Sequence, residues 1–299
     1  MHVFLTGATG LVGTALSHAL LRRGDLVTAL SRSPEAPRLL PPGVRHVPGD
    51  PSSPGPWEAE LARADACVHL AGEPIATGRW TAARKERIRR SRVDSTARVA
   101  EVVRSGGPSV LVSASAVGLY GDRGDELLDE ASAPGHGFLA EVVRAWEAAA
   151  EPARARARLV KVRTGIVLAR GGGALPRMVL PFRLFAGGTL GRAGAWRPWI
   201  HLADQVGLIL FALDDPRVDG PLVAAAPNPV TSRELARTLG KVLHRPTFFP
   251  APAFALRLAL GELSGELLAS QRAAPRKARA LGYRFRFPEL ELALREILR

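Results

Sequence analysis

Cysteine is nearly absent. Cys67 stands alone in 299 residues, so no intrachain disulfide can form and a thiolate metal site lacks its ligand set. Lysine is scarce: Lys85, Lys161, Lys241 and Lys277 are all there are, so arginine carries almost all of the basic charge. Tyrosine occurs only as Tyr120 and Tyr283. No apolar run approaches the roughly 18 residues of a membrane span. The opening MHVFLTGATG has no basic segment ahead of a long apolar stretch, so no secretory signal is expected. Together these absences predict a cytoplasmic protein with no metal and no membrane partner.

Hydrophobic residues make up 46% and charged residues 23%, which is ordinary for a globular chain and excludes a disordered or fibrous one. At about 100–200 residues per domain, the length suits one large domain or two closely joined ones. The formal net charge of +13 raises the question of an anionic partner, nucleic acid or a phosphorylated ligand. The arginines are spread along the chain rather than gathered in one run, so the excess reads as compositional habit, with a subset able to bind phosphate. A helix-turn-helix, zinc ligands and an aromatic platform are all missing, so no nucleic-acid partner is expected.

The first half alternates short apolar runs with helical stretches. Val3–Leu5, Leu26–Leu30, Val44–Val47, Ala66–Ala71, Ser109–Ala114 and Leu159–Val162 read as strands. Leu11–Arg23, Thr81–Arg104 and Phe138–Glu151 read as helices between them. Strands separated by helices imply βαβ crossovers, hence an α/β fold with a doubly wound parallel sheet covered on both faces. After Leu168 the rhythm changes: Ala174–Phe185 reads as helix, Trp196–His201 as a short strand, Leu202–Asp214 as helix and Pro221–Ala226 as one more sheet strand. The tail from Thr231 reads as mainly helical.

Chemistry enters at the first turn. Thr6-Gly7-Ala8-Thr9-Gly10-Leu11-Val12-Gly13 follows the first strand and opens the first helix, the context in which a Gly-rich turn binds a dinucleotide. Gly7 permits the tight turn, Gly10 lets the backbone approach a pyrophosphate, and Gly13 lets helix and strand pack closely. The helix start, with Thr9, Leu11 and Val12, offers N–H groups and a positive dipole end to the phosphates. At the end of the second strand no acid stands at Leu30, Ser31 or Arg32 to hold a ribose 2′-OH. Instead Arg32, preceded by Ser31, can fork onto a 2′-phosphate, so NADP is expected as cofactor rather than NAD.

With that turn in place, further segments resemble the extended short-chain dehydrogenase/reductase superfamily. More narrowly, they are similar to its atypical NAD(P)-dependent nucleoside-diphosphate-sugar epimerase-like family with a C-terminal domain of unknown function. The segments are His69-Leu70-Ala71-Gly72-Glu73-Pro74-Ile75, Arg79-Trp80, Ser91-Arg92, Ser113-Ala114-Ser115 with Tyr120-Gly121-Asp122, Trp146-Glu147, and Arg163-Thr164-Gly165-Ile166-Val167-Leu168. Pro181-Phe182-Arg183, Trp199-Ile200-His201-Leu202-Ala203-Asp204 and Gly282-Tyr283-Arg284-Phe285-Arg286-Phe287-Pro288 complete the set, so the resemblance covers nearly the whole chain. It implies an NADP-binding Rossmann domain over 1–168 plus about 198–226, and a smaller, mainly helical substrate domain over about 169–197 plus 227–299. It also implies that Leu70, Ala71 and Gly72 lie along the cofactor, that Ser113 and Ser115 match the region supplying a catalytic Ser, and that Arg163 opens a strand exit whose backbone reaches toward the nicotinamide.

Typical members use a Tyr-x-x-x-Lys pair, the Lys lowering the Tyr pKa so that the phenol exchanges a proton while hydride moves. Here Phe138 matches the Tyr and Val142 the Lys, and Arg92 stands where an active-site Asn is usual. Arg92 is therefore expected near the cofactor pyrophosphate or the substrate. Tyr120 and Ser115 are the expected replacement proton donors, with Glu73, Glu141 and His201 as alternatives. Arg177, Arg183, Arg192 and Arg197 are expected to clamp an anionic substrate. The expectation is an NADP-binding oxidoreductase or epimerase-like protein, monomer or homodimer, acting on a hydroxyl-bearing small molecule such as a nucleotide-sugar. The alternative is a non-catalytic NADP-binding regulator, for example of cell division.

Overall fold

The computed structural model describes residues 1–249, 258 and 261–299. Seven strands form one parallel sheet: β1 (His2–Thr6), β2 (Leu26–Ser31), β3 (Arg45–Pro48), β4 (Ala66–His69), β5 (Val110–Ala116), β7 (Arg158–Thr164) and β11 (Gly220–Ala224). Short strands lie outside it: β6 (Leu127–Leu128), β8 (Ile166–Leu168), β9 (Trp196–Arg197), β10 (Trp199–His201), β12 (Val230–Thr231) and β13 (Arg272–Ala273). The helices up to Leu243 are α1 (Leu11–Arg22), α2 (Ala36–Leu39), α3 (Trp57–Ala62), α4 (Ala82–Ser105), α5 (Phe138–Ala150), α6 (Leu175–Arg183), α7 (Leu202–Asp214) and α8 (Ser232–Leu243).

The sheet order is β11-β7-β5-β4-β1-β2-β3, so the winding reverses between β1 and β4. Their register pairs Leu5 with Val68 and Thr6 with His69, which brings both strand exits to one point. In an open α/β sheet that reversal leaves a crevice at the carboxyl ends of the strands. Alternation along β1 explains why both faces are covered. Val3 and Leu5 point into a core shared with Leu16 and Leu20 of α1 and Leu208 and Ile209 of α7. Phe4 points the other way, into a core with Leu61 of α3, Val99 and Val103 of α4, and Trp57, whose ring centroid lies 6.3 Å from its own.

A second apolar cluster holds Leu175, Val179 and Phe182 of α6, Leu235 and Leu239 of α8, and Leu290, Leu294 and Ile297 of the helix Leu290–Leu298. A capping box starts α8: the Thr231 hydroxyl accepts from the Glu234 amide while the Glu234 carboxylate accepts from the Thr231 amide. Only part of the tail lies in this cluster. β13 pairs with β6, and Ala278, fully buried, enters the core of the main sheet. The Tyr283 ring packs 5.4 Å from Phe211 of α7. A small residue and an aromatic at these positions fit the sheet's outer layer, which draws residues 272–285 back to it. The single strand expected over Trp196–His201 is two, because Pro198 brings no N–H and interrupts the pairing.

Candidate functional site

The Gly-rich turn sits at the crevice. Gly7 has φ +71°, and a Cβ there would lie 2.8 Å from the Leu70 carbonyl carbon. At Gly13 a Cβ would strike the Gly7 carbonyl oxygen and come within 2.7 Å of the Ala8 Cα. Both glycines are therefore dictated by backbone meeting backbone. Gly10 is the N-cap of α1, with no side-chain cap and no acid in the first turn. The first N–H groups of a twelve-residue helix thus lack a side-chain acceptor at the positive end of its dipole. That arrangement fits a pyrophosphate.

A buried chain of hydrogen bonds locks the turn to the β4 exit. The Thr6 Oγ1 accepts from the Leu70 and Ala71 amides, both at 3.2 Å, and lies 2.7 Å from His69 Nδ1. His69 Nε2 lies 3.1 Å from Ser95 Oγ, which donates to the Ser91 carbonyl at 2.8 Å. Only one proton arrangement satisfies every partner. Ser95 spends its proton on Ser91 and so accepts from Nε2–H, while Thr6 spends its own on Nδ1 and accepts two amides. His69 is therefore neutral, and burial pushes its pKa down to about 4. Sequence reasoning missed His69 because it stood inside an apolar run; that one polar residue in a buried strand was the available signal.

At the end of β2, Arg32 keeps 70% of its side chain exposed and reaches to 3.6 Å from Asp50. Ser31 is half-buried, and its hydroxyl accepts from the Ser33 amide. Burial pushes the Asp50 carboxyl up, and Ser52 and Arg32 more than reverse that, holding it below its ordinary value.

The side chains expected at the site from β5 and β7 are engaged inside the protein. Ser113 is buried, and its hydroxyl donates to the Ala114 carbonyl at 3.3 Å. Ser115 donates to Glu147 at 2.6 Å. Alternation along β5 sends both serines into the protein and leaves Ala114 and Ala116 half-buried on the other face. The Arg163 guanidinium grips the same Glu147 through Nε at 2.8 Å and Nη2 at 3.0 Å, and donates through Nη1 to Tyr120 and the Glu130 carbonyl. Tyr120 is fully buried, donates to the Asp129 carbonyl at 2.7 Å, and is pushed up to about 12 by burial. The phenol proton is thus committed to a backbone carbonyl. The Ser115, Tyr120 and Arg163 side chains form a buried polar cluster around Glu147. The Arg163 and Ser113 side chains are engaged within the protein, and it is the backbone of the strand exit that is expected toward a nicotinamide.

Phe138 opens α5 with its ring edge-on to Trp80 at 5.0 Å, and Lys85 Nζ sits 5.5 Å from its centroid. Val142, one turn on, is 2% exposed. The Leu139 amide donates to Glu266 at 3.2 Å, and burial pushes that carboxyl up. Of the other proton donors weighed, Glu73 is paired with Arg84, and Glu141 is exposed in the first turn of α5. His201 caps α7 through the Ala203 amide, meets Glu296 at 2.9 Å and stacks on Phe287, which makes it an anchor of that helix. The four clamp arginines do not converge. Arg192 bridges to Asp122, and Arg197 is buried against Ser232 and the Ala269 carbonyl. Arg177 reaches the Ala76 carbonyl, and Arg183 lines a surface hollow with Arg170 and Ile297.

Arg92 lies beside Gly72, just past the β4 exit. Its Cζ lies 5.3 Å from the Trp146 ring, its N–H groups bond the Glu73 and Ile88 carbonyls, and a Cβ on Gly72 would sit 3.4 Å from Cζ. Burial pushes its pKa down to about 10. No group of three or more metal-ligating side chains occurs among the described residues, and none of their helices is long and apolar enough to cross a membrane.

A parallel sheet whose winding reverses at a Gly-rich turn defines an NAD(P)-binding protein of the extended short-chain dehydrogenase/reductase type. The NAD dependent epimerase/dehydratase family matches residues 3–223, and DUF1731, a domain of unknown function, matches residues 251–297. The chain belongs to that epimerase/dehydratase family and carries the DUF1731 region at its C-terminal end. It is 39% identical over 307 residues to the Arabidopsis thaliana chloroplastic homolog of epimerase family protein SDR39U1, covering 100% of this chain and 87% of that one. Epimerase family protein YfhF of Bacillus subtilis is 36% identical over 302 residues, covering 100% and 98%. A crystal structure of human epimerase family protein SDR39U1 (isoform 2) with NADPH is similar at a TM-score of 0.88 and 36% identity over 99% of both chains.

Proposed function

We propose that this chain binds NADP(H) across Gly7, Thr9, Gly10, Leu11, Val12 and Gly13, with Ser31 and Arg32 at the 2′-phosphate, Leu70, Ala71 and Gly72 along the cofactor, and Arg92 at the edge. The observation that carries this reading is the uncapped start of α1, clamped by Gly7 and Gly13 against the β4 exit, with an exposed arginine and no acid at the end of β2. The human relative's structure with NADPH supports it. Calorimetry tests it. NADPH should bind at least tenfold tighter than NADH, about 1.4 kcal/mol, and Arg32→Ala should erase most of that ratio. Equal affinities in the unsubstituted chain would reject the NADP reading.

The reaction proposed is oxidoreductase or epimerase-like, on a hydroxyl-bearing small molecule of which a nucleotide-sugar is one class, by a cytoplasmic monomer or homodimer. When bound, NADP(H) supplies or accepts the hydride. The protein's own part is to seat the dinucleotide and exclude water, since Phe138 and Val142 can neither donate nor tune a proton. Losing a positioned general acid commonly costs about 10²–10⁴ in rate, so turnover on common sugar-nucleotides and alcohols should be weak. One observation favours a second reading, a non-catalytic NADP-binding regulator. Phe138 lies in an apolar cluster with Trp80, Ile88, Leu139 and Leu263, and the Tyr120 hydroxyl is engaged inside the protein. A substrate screen that finds tight NADPH binding but no turnover would select the regulator.

A further inference from the structure

We infer that Arg92 and Gly72 form an anion subsite that seats a phosphate group of a bound ligand. Two guanidiniums, Arg84 and Arg92, meet in this corner beside one carboxylate, Glu73, and Arg84 holds it. Arg92 itself has only carbonyl and hydroxyl partners. It donates to the Ile88 carbonyl at 3.1 Å, the Ser91 hydroxyl at 3.4 Å and the Glu73 carbonyl at 3.0 Å. A guanidinium has five N–H groups, so two remain without a partner among the described residues. Burying a charge is costly unless it is paired, and the Trp146 face on one side of Arg92 offers only a weak substitute for an anion. A phosphate matches the fork of a guanidinium and would complete the ledger. Gly72 lines this corner directly: its Cα side faces the guanidinium, and a Cβ there would sit in ordinary contact, 3.4 Å from the guanidinium carbon.

Helix register places this cation. Ile88, Arg92 and Thr96 share one face of α4, and Phe138, Val142 and Trp146 share one face of α5. Phe138 joins the apolar cluster of Ile88, and the Trp146 Nε1 donates to Thr96 at 2.8 Å, so the two faces run in step. Arg92 thus lies level with Val142. Positive charge reaches this layer from α4, while the α5 position is aliphatic and sealed.

The phosphate has two sources, the dinucleotide or a second ligand, and the first rests on the reading of the turn given above. The test uses the full chain with Arg92→Gln and Arg92→Lys. NADPH is titrated by calorimetry, then UDP in the presence of saturating NADPH, with 2′-AMP as a control for the Arg32 end. Arg92→Gln should weaken NADPH or UDP at least tenfold, Arg92→Lys should recover much of the loss, and 2′-AMP should stay within twofold. Loss on NADPH assigns the phosphate to the dinucleotide; loss on UDP alone assigns it to the second ligand. If both ligands bind Arg92→Gln within twofold of the unsubstituted chain, the inference is wrong. An equal loss on 2′-AMP also overturns it, because the residue is then merely structural. If the unsubstituted chain binds UDP but not NADPH, the dinucleotide reading fails while the Arg92 test still stands on UDP; binding of neither rejects both. Should Arg92→Gln not fold, phenylglyoxal labelling of the unsubstituted chain decides. Arg92 should be modified in the free protein and protected by one of the two ligands, and no protection overturns the subsite.

Discussion

Replacing Arg163 by Met removes one half of a buried ion pair and leaves the Glu147 charge without its main partner. Both side chains are about nine-tenths buried, at 7% and 10% exposed, and the pair holds β7 to α5. Breaking such a pair from one side typically costs about 3–5 kcal/mol. Lys161, 3.8 Å from Glu147, and the Ser115 hydroxyl stay behind and moderate the loss, which puts the expectation near 3 kcal/mol. For a protein of this size that is a fall in Tm of roughly 6–12 °C. Arg163→Met with Glu147→Gln should recover a good part of it, because neither charge is then stranded. The pH dependence has a definite sign. Burial pushes Glu147 up, but Arg163 overrides this and holds the folded carboxyl below its ordinary 4.5. The stabilisation is therefore complete above that value and is lost as pH falls through the folded pKa, so the gap between the unsubstituted chain and Arg163→Met should narrow below about pH 4.5. Thermal and urea unfolding of the two singles and the double, at pH 7 and pH 4, measure all of this. NADPH affinity of Arg163→Met at 20 °C should stay within threefold. An unchanged Tm, or lost NADPH binding in a variant that still folds, would refute the placement of Arg163 away from the ligand.

Gly13→Ala should abolish measurable NADPH binding and lower Tm, since the added methyl meets the backbone of Gly7 and Ala8, which cannot swing aside; near-normal binding by calorimetry would contradict that. Thr6→Val keeps the shape but removes the acceptor for two amides and the donor to His69, so it should cost about 1–3 kcal/mol and weaken NADPH, while Thr6→Ser keeps both; identical behaviour of the two variants in unfolding and titration would count against the hydroxyl. Because the folded pKa of His69 is about 4, below its ordinary 6.5, the stability it lends is complete above 6.5 and drains away as pH falls toward 4. His69→Gln should therefore show a flatter stability curve than the unsubstituted chain across that window, and parallel curves would argue against a neutral, buried imidazole.

The Gly-rich turn and the parallel sheet were legible because their causes are local. Gly7 and Gly13 answer to backbone within the turn and its immediate neighbour, and the strand runs announce two-sided burial by their composition. The residues misplaced from sequence share a different cause. Ser115 and Arg163 were expected near the chemistry from the family resemblance and Tyr120 from its phenol, whereas Glu147, Asp129 and Glu130, on other elements, are the partners that engage them. The clamp arginines failed likewise: Asp122, Ser232, Ala269 and Ala76 claim three of them, and no periodicity reveals such pairings. The return of residues 272–285 to the main sheet depends on Ala278 fitting a layer that only the assembled fold provides. Phe138 and Val142 were read as incapable of proton chemistry from side-chain type alone, a reading that does not depend on their packing.

The stretch around Pro198 has a mechanical consequence. β9 is hydrogen-bonded to β12 beside the second apolar cluster, and β10 to β8, which continues directly from the sheet strand β7. The Ile166 amide donates to the Pro198 carbonyl itself at 2.7 Å. The crossing between the two halves is thus stitched on both sides rather than strung as a loose thread. Any displacement of α6 and α8 pulls on the same backbone that leaves β7 at the mouth of the crevice. The two sides of the seam share one ribbon, so strain applied to either is carried into the other through hydrogen-bonded backbone.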